Sequence, residues 1–164
     1  MSKITMDVRI QRYQPESDRK PHWQVFHPEV DEEATVLDVL GEIHWKIDGT
    51  LAYRRSCRSA ICGSCAMKVN GRNVLACETP ASQFGTRLKI EPLPGFPILK
   101  DLVVDLEDFF AKLERIRPYL ILKRPVPEKE FRQTPAQFDE IGESTLCILC
   151  AACTSSCPSL WPNP

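Results

Sequence analysis

Eight cysteines in two tight groups constrain this 164-residue chain more than any other feature. The first group is Cys57, Cys62, Cys65 and Cys77, a C-x4-C-x2-C-x11-C pattern. The second is Cys147, Cys150, Cys153 and Cys157, a C-x2-C-x2-C-x3-C run followed at once by Pro158. An even cysteine count suits a disulfide framework in a small exported chain that lacks an adequate core. Here 43% of the residues are hydrophobic, enough for a core. The start, Met1 to Asp7, has neither the apolar stretch of a signal peptide nor the Arg-rich character of a transit peptide. It reads as a cytosolic or already processed start. Cysteines three positions apart are also poor general staples, so the pattern points to thiolate ligation of metal.

The spacing then selects the metal chemistry. Cys57, Cys62 and Cys65 fit the plant-type [2Fe–2S] spacing, in which one curled loop supplies three thiolates and a neighbouring strand supplies the fourth, here Cys77. Ser59, Ala60, Gly63 and Ser64 are small enough for backbone N–H groups to approach the sulfurs. Zinc motifs usually pair two C-x2-C halves, which the x4 spacing does not match. The second run is the bacterial C-x2-C-x2-C-x3-C-P signature of [4Fe–4S] proteins, in which the fourth cysteine typically ligates another cluster. Cys147, Cys150 and Cys153 are thus three ligands of a cubane. Cys157 either folds back to complete it or serves a second cluster.

Periodicity frames these groups. Ile4, Met6, Val8 and Ile10 alternate along a half-buried strand over residues 3–12, and Trp23 to Phe26 suggest a second. Val36, Leu40, Ile43 and Ile47 fall at helical spacing behind Thr35 and Asp38, a capping-box pair, and Gly49 closes that helix. A long cysteine-bearing loop, residues 50–65, follows. Asn70-Gly71 predicts a hairpin between strands at 66–69 and 73–76, and 86–91 is a last strand. Strands, one helix and further strands make a small α+β domain over residues 1–93. The Pro92 to Pro97 segment marks its boundary. Residues 94–135 read as a Pro-rich connector with one helix at 100–116, whose Leu102, Leu106, Phe109, Phe110, Leu113 and Ile116 form an apolar face expected to be core. Residues 136–164 begin a second, helical domain.

Other classes are disfavoured. The net charge is −1, from 21 basic and 22 acidic side chains, so no overall field attracts nucleic acid. No apolar run approaches the roughly 20 residues of a membrane span. No G-x-G-x-x-G fingerprint is present, so a flavin or dinucleotide belongs on another chain. His22, His27 and His44 stand apart from the cysteines and read as surface or packing residues. The basic run Arg54-Arg55-Ser56-Cys57-Arg58 is either a solvated face or a source of positive charge for an anionic cluster or an acidic partner.

The segments Leu51 to Met67, Asn70-Gly71 through Leu75-Ala76-Cys77-Glu78-Thr79, Lys100 to Leu106, and Cys147 through Ser159 together resemble the iron–sulfur subunits of succinate dehydrogenase and fumarate reductase. The resemblance covers nearly all of residues 3–164. It implies an N-terminal β-grasp ferredoxin domain followed by an incomplete α-helical ferredoxin domain. It also implies an FAD-bearing flavoprotein partner, membrane anchor subunits, and electron flow through [2Fe–2S], [4Fe–4S] and [3Fe–4S] clusters to quinone. The place implied is peripheral, on the cytoplasmic face of a bacterial inner membrane or the matrix face of a mitochondrial one. Carried over by position, Cys57, Cys62, Cys65 and Cys77 hold [2Fe–2S]. Cys147, Cys150 and Cys153 hold [4Fe–4S], and Cys157 holds [3Fe–4S]. The family's remaining cluster cysteines fall beyond Pro164. Pro158, Ser159 and Trp161 match a quinone-side segment, with a departure where Pro162 stands in place of a second tryptophan. A chain of this kind relays electrons and oxidises no succinate by itself. A free-standing two-cluster ferredoxin is the alternative outside this class.

Overall fold

The computed structural model describes residues 2–119, 121, 122, 125 and 127–160. The chain divides into two compact units, one running to Leu106 and taking in the residues from Leu149, the other Glu107–Ile148. This differs from the expected boundary after residue 93. The cause is local: Asp101 donates its backbone N–H to Tyr13 O (2.9 Å), and Leu102 donates to Ala52 O (3.2 Å), so residues 98–104 belong to the first unit.

That unit is an α+β body around a mixed five-stranded sheet. Strand β1 (Lys3–Thr5) pairs antiparallel with β4 (Glu29–Asp31). The sheet itself runs β3-β2-β7-β5-β6, with β2 at Asp7–Arg12, β3 at His22–Phe26, β5 at Ala66–Val69, β6 at Arg72–Leu75 and β7 at Arg87–Glu91. Strands β2 and β7 run parallel at its centre, and the other pairs are antiparallel. The single strand read over residues 3–12 is therefore two. Fully buried Met6 sits at the break, its N–H given to Pro28 O (3.0 Å).

Period-two burial puts Val8, Ile10, Met67, Val69, Leu88 and Ile90 on one face. Helix α1 (Val36–Lys46) lays Val36, Val39, Leu40 and Ile43 in the same buried core. Each such side chain contributes about 1.5–3 kcal/mol when taken from water. The helix starts where expected. Thr35 Oγ1 accepts from Asp38 N, and the Asp38 carboxylate accepts from Thr35 N (2.9 Å), which closes the capping box. Its last expected core residue, Ile47, is 51% exposed, because the helix has already ended at Lys46. Asn70 (φ 46°) and Gly71 (φ 85°) make the two-residue turn joining β5 to β6, both in the left-handed region that such hairpins need.

The helix expected over 100–116 is half that length. Ile98–Lys100 (β8) and Val103–Val104 (β9) form a hairpin with Asp101 at φ 46°, and only Glu107–Arg115 is helical (α2). The β-branched pair and the buried Asp101 override the helical spacing of the leucines. In the second unit, α2, α3 (Pro135–Asp139) and α4 (Gly142–Thr145) bury no side chain. Of the face expected to be core, Leu102 (5% exposed) is buried in the first unit, whereas on α2 Phe110 is 45% exposed. Helix α5 (Ala152–Ser155) belongs to the first unit. Among the described residues no helix is long and apolar enough to cross a membrane.

Candidate iron–sulfur site

The first cysteine loop is held at both ends. After α1, Asp48 caps its own turn by accepting from Thr50 N (2.9 Å) and Thr50 Oγ1 (2.6 Å). Leu51 is buried, and His44 Nδ1 lies 3.1 Å from its carbonyl. Ala52 N–H donates to the Asp101 carboxylate (2.8 Å). Arg12 braces the same place from β2. Its Nε donates to Asp101 (2.9 Å), Nη1 to Asp48 (2.7 Å) and Nη2 to Thr50 (2.9 Å). At the far end, Cys65 is buried at the start of β5, and its carbonyl accepts from Ala76 N (3.2 Å). The segment around Cys77 is fixed to the start of α1, where Leu37 N donates to Ala76 O and Val36 N to Thr79 O, both 2.9 Å.

Between these anchors the backbone curls so that N–H groups face sulfur. Arg58, Ala60 and Gly63 have φ of 57°, 58° and 68°, which turns successive amides inward. Cys57 Sγ accepts from Ser59 N (3.4 Å), Ile61 N (3.3 Å) and Cys62 N (3.3 Å), and Cys77 Sγ accepts from Ala60 N (3.3 Å). Cys62 Sγ lies 3.2 Å from Ser64 Oγ. The amides of Ser59, Cys62 and Ile61 bring the Cys57 thiol down to about 6. The Ser64 hydroxyl lowers Cys62. Burial pushes Cys65 up to about 11, with the neighbouring Cys77 and Cys62 adding to it. Cys57 and Cys77 thus share one curled loop, the amides of residues 59–62 aimed at their sulfurs. Thiols must ionise to bind iron, and amides aimed at sulfur favour that. The donor set fits a thiolate-held iron–sulfur cluster. Among the described residues no three His, Cys, Asp or Glu side chains converge as they would around a single metal ion.

Of the second cysteine run, Cys147 lies in the second unit, and Cys150, Cys153 and Cys157 lie in the first, where docking places them. Leu149 and Ala151 take left-handed φ of 56° and 61° on either side of Cys150, and α5 carries Cys153. Exposed Cys157 follows, its thiol lowered by the N–H groups of Ser159 and Leu160. Asn73 on β6 donates to Ala152 O (3.2 Å) and Ser156 Oγ (2.9 Å). Buried Ser155 donates to Pro94 O (2.8 Å). Pro158 and Ser159 are exposed, and Trp161 lies outside the described residues. Sequence reasoning missed Arg12, Asp101, Asn73 and Ser155. One signal was available, since Asp101 is the lone acid in the mostly apolar stretch Ile98 to Val104. His22 and His27 are exposed, and His44 packs edge-on against Tyr53 with ring centroids 5.8 Å apart. The basic run contributes Arg55, stacked 4.8 Å from the Trp45 ring.

Residues 7–111 match the family model of a 2Fe-2S iron-sulfur cluster binding domain. The chain is 42% identical to the fumarate reductase iron-sulfur subunit of Haemophilus influenzae, over 97% of this chain and 67% of that protein. It is equally 42% identical to the succinate dehydrogenase iron-sulfur subunit of Coxiella burnetii, over 97% of this chain and 68% of that one. It also superposes on a chain of the Mycobacterium smegmatis Sdh1 complex in the apo form, with a TM-score of 0.85 and 28% identity, over 95% of this chain and 64% of that one. The chain thus spans about two thirds of the length of the proteins it matches. With the cysteine spacings and the amide-lined loop, these likenesses place the chain in the family of succinate dehydrogenase and fumarate reductase iron–sulfur subunits.

Proposed function

We propose that this chain is the electron-relay part of a succinate:quinone oxidoreductase. The observation that carries this reading is that one unit holds both a cysteine loop, with N–H donors on Cys57 and Cys77, and the Cys150–Cys157 segment, docked on the strand that leads to Cys77. Iron–sulfur clusters, when bound, accept and pass on single electrons. The residues of this chain hold them and set their surroundings. Cys57, Cys62, Cys65 and Cys77 ligate [2Fe–2S]. Cys147, Cys150 and Cys153 ligate [4Fe–4S], and Cys157 ligates [3Fe–4S]. The amides of Ser59, Ala60, Ile61 and Cys62 stabilise negative charge on sulfur. Arg12, Asp48 and Asp101 hold the loop that presents them.

In this reading residues 1–93 are a β-grasp ferredoxin domain, and residues 136–164 with the second cysteine run begin an α-helical ferredoxin domain. An FAD-containing flavoprotein subunit delivers electrons, membrane anchor subunits seat the protein, and quinone receives the electrons beside Pro158, Ser159 and Trp161. The protein is peripheral to the membrane, on the cytoplasmic face in a bacterium or the matrix face in a mitochondrion. Fumarate reduction is the second reading, favoured by the equal identity to a fumarate reductase subunit.

The test is reconstitution. Flavoprotein and anchor subunits assembled with this protein should carry electrons from succinate to quinone. Omitting it, or replacing Cys65 by serine, should leave only dye reduction at the flavoprotein. Succinate oxidation by this chain alone would refute the relay reading.

A further inference from the structure

We infer that Asn73 and Ser155 form a latch that fixes the Cys150–Cys157 segment against the strand leading into Cys77, and so sets the separation of the first and second clusters. The inference rests on the relay reading above.

Asn73 lies four residues before Cys77, on β6 at the edge of the main sheet. Its amide has two N–H bonds, and each is used. One goes to the carbonyl of Ala152, next to Cys153, and the other to the hydroxyl oxygen of Ser156, next to Cys157. One side chain on the strand approaching the first site therefore grips the neighbours of two cysteines of the second. Ser155, at 1% exposure, donates to Pro94 O from the intervening position. A third contact lies alongside, since a Cβ built on Gly95 would sit 2.6 Å from Leu160 Cδ2. Gly95 has a φ of 82°, so this close approach is open to glycine and little else. Helix α5 has only four residues, too few to persist by itself. Its position depends on what holds it. Asn73 and Ser155 act through the Ala152 and Pro94 carbonyls and the Ser156 hydroxyl, so both are positioning residues.

The test uses the assembled complex carrying Asn73→Asp, which keeps the shape but loses both donors, beside Asn73→Gln, which keeps them. Each lost hydrogen bond weakens docking by a factor of about five, so the pair is worth about thirtyfold. Hydrogen exchange at the amides of Ser155, Ser156 and Cys157 should therefore accelerate by about ten- to thirtyfold in Asn73→Asp, and less in Asn73→Gln. These amides donate within the docked segment, to Ala151, Ala152 and Thr154. By EPR, the reduced [2Fe–2S] signal should keep its shape and amount, while the relaxation enhancement it receives from the second cluster falls. Unchanged exchange together with unchanged relaxation would overturn the latch. A change in the shape or amount of the [2Fe–2S] signal, with relaxation preserved, would also overturn it by making Asn73 part of the first site. Complete absence of any iron–sulfur signal in the parent complex would instead refute the relay reading, and the inference with it.

Discussion

Replacing Asp101 by alanine should be the most damaging single change outside the cysteines. Asp101 is 2% exposed, and its carboxylate accepts three hydrogen bonds, from Arg12 Nε (2.9 Å), Tyr13 N (3.0 Å) and Ala52 N (2.8 Å). Arg12, whose guanidinium it neutralises, is itself only 8% exposed. Removing one member of a buried charged pair costs about 3–5 kcal/mol, because the other is left uncompensated. Two backbone donors also lose their acceptor, at about 1–3 kcal/mol each where water does not enter. Asp48 stays within 2.7 Å of Arg12 and offsets part of the lost charge. The net expectation is a loss of about 3–4 kcal/mol for Asp101→Ala, and about 2 kcal/mol for Asp101→Asn, which retains an acceptor. Against a typical domain stability of about 5–15 kcal/mol, the first is a large share. Urea denaturation followed by tryptophan fluorescence measures it. Cluster retention should fall in parallel, since Ala52 opens the cysteine loop. A loss below about 1 kcal/mol for Asp101→Ala would refute the buried-pair reasoning.

Three further outcomes are expected. Thr35→Ala removes the α1 cap and should cost about 1 kcal/mol in the same denaturation assay, with the [2Fe–2S] spectrum unchanged. The Asp48 carboxyl is held well below the usual carboxylate range by the Thr50 hydroxyl and then by Arg12. A depressed folded pKa gives stability that is whole above the unfolded value of about 4 and is lost as pH falls below it. The stability gap between the parent and Asp48→Asn should therefore narrow on acidification below about pH 4, and a gap independent of pH would contradict the pairing. Cys65→Ser places a poorer soft ligand at the buried corner of the loop and should abolish or shift the reduced [2Fe–2S] EPR signal.

Much of the site was legible because metal ligation writes itself into spacing. The C-x4-C-x2-C loop, the capped helix after Thr35 and the Asn70-Gly71 turn are local patterns, and each is found where the residues place it. What escaped depends on contacts far along the chain. Residues 98–104 carry leucines at helical intervals, yet Asp101 is drawn to the Arg12 side chain on β2, 89 positions away, and to the cysteine-loop backbone at Ala52, 49 positions away, and the chain bends into a hairpin there. The fusion of residues from Leu149 with the first unit was equally hidden. It runs through Asn73, Ser155 and Gly95, ordinary polar or small residues whose partners no periodicity reveals. The apolar face around Phe109 shows the converse. Its pattern is plain, but no neighbour among the described residues buries it.

The central claim is that Cys57, Cys62, Cys65 and Cys77 hold a two-iron cluster. EPR of the anaerobically purified, dithionite-reduced protein, with iron and acid-labile sulfide assayed on the same sample, tests it most directly. A spin-half [2Fe–2S] signal is expected, lost or altered when any one of these four cysteines becomes serine. Zinc in place of iron, or a signal indifferent to all four substitutions, would contradict it.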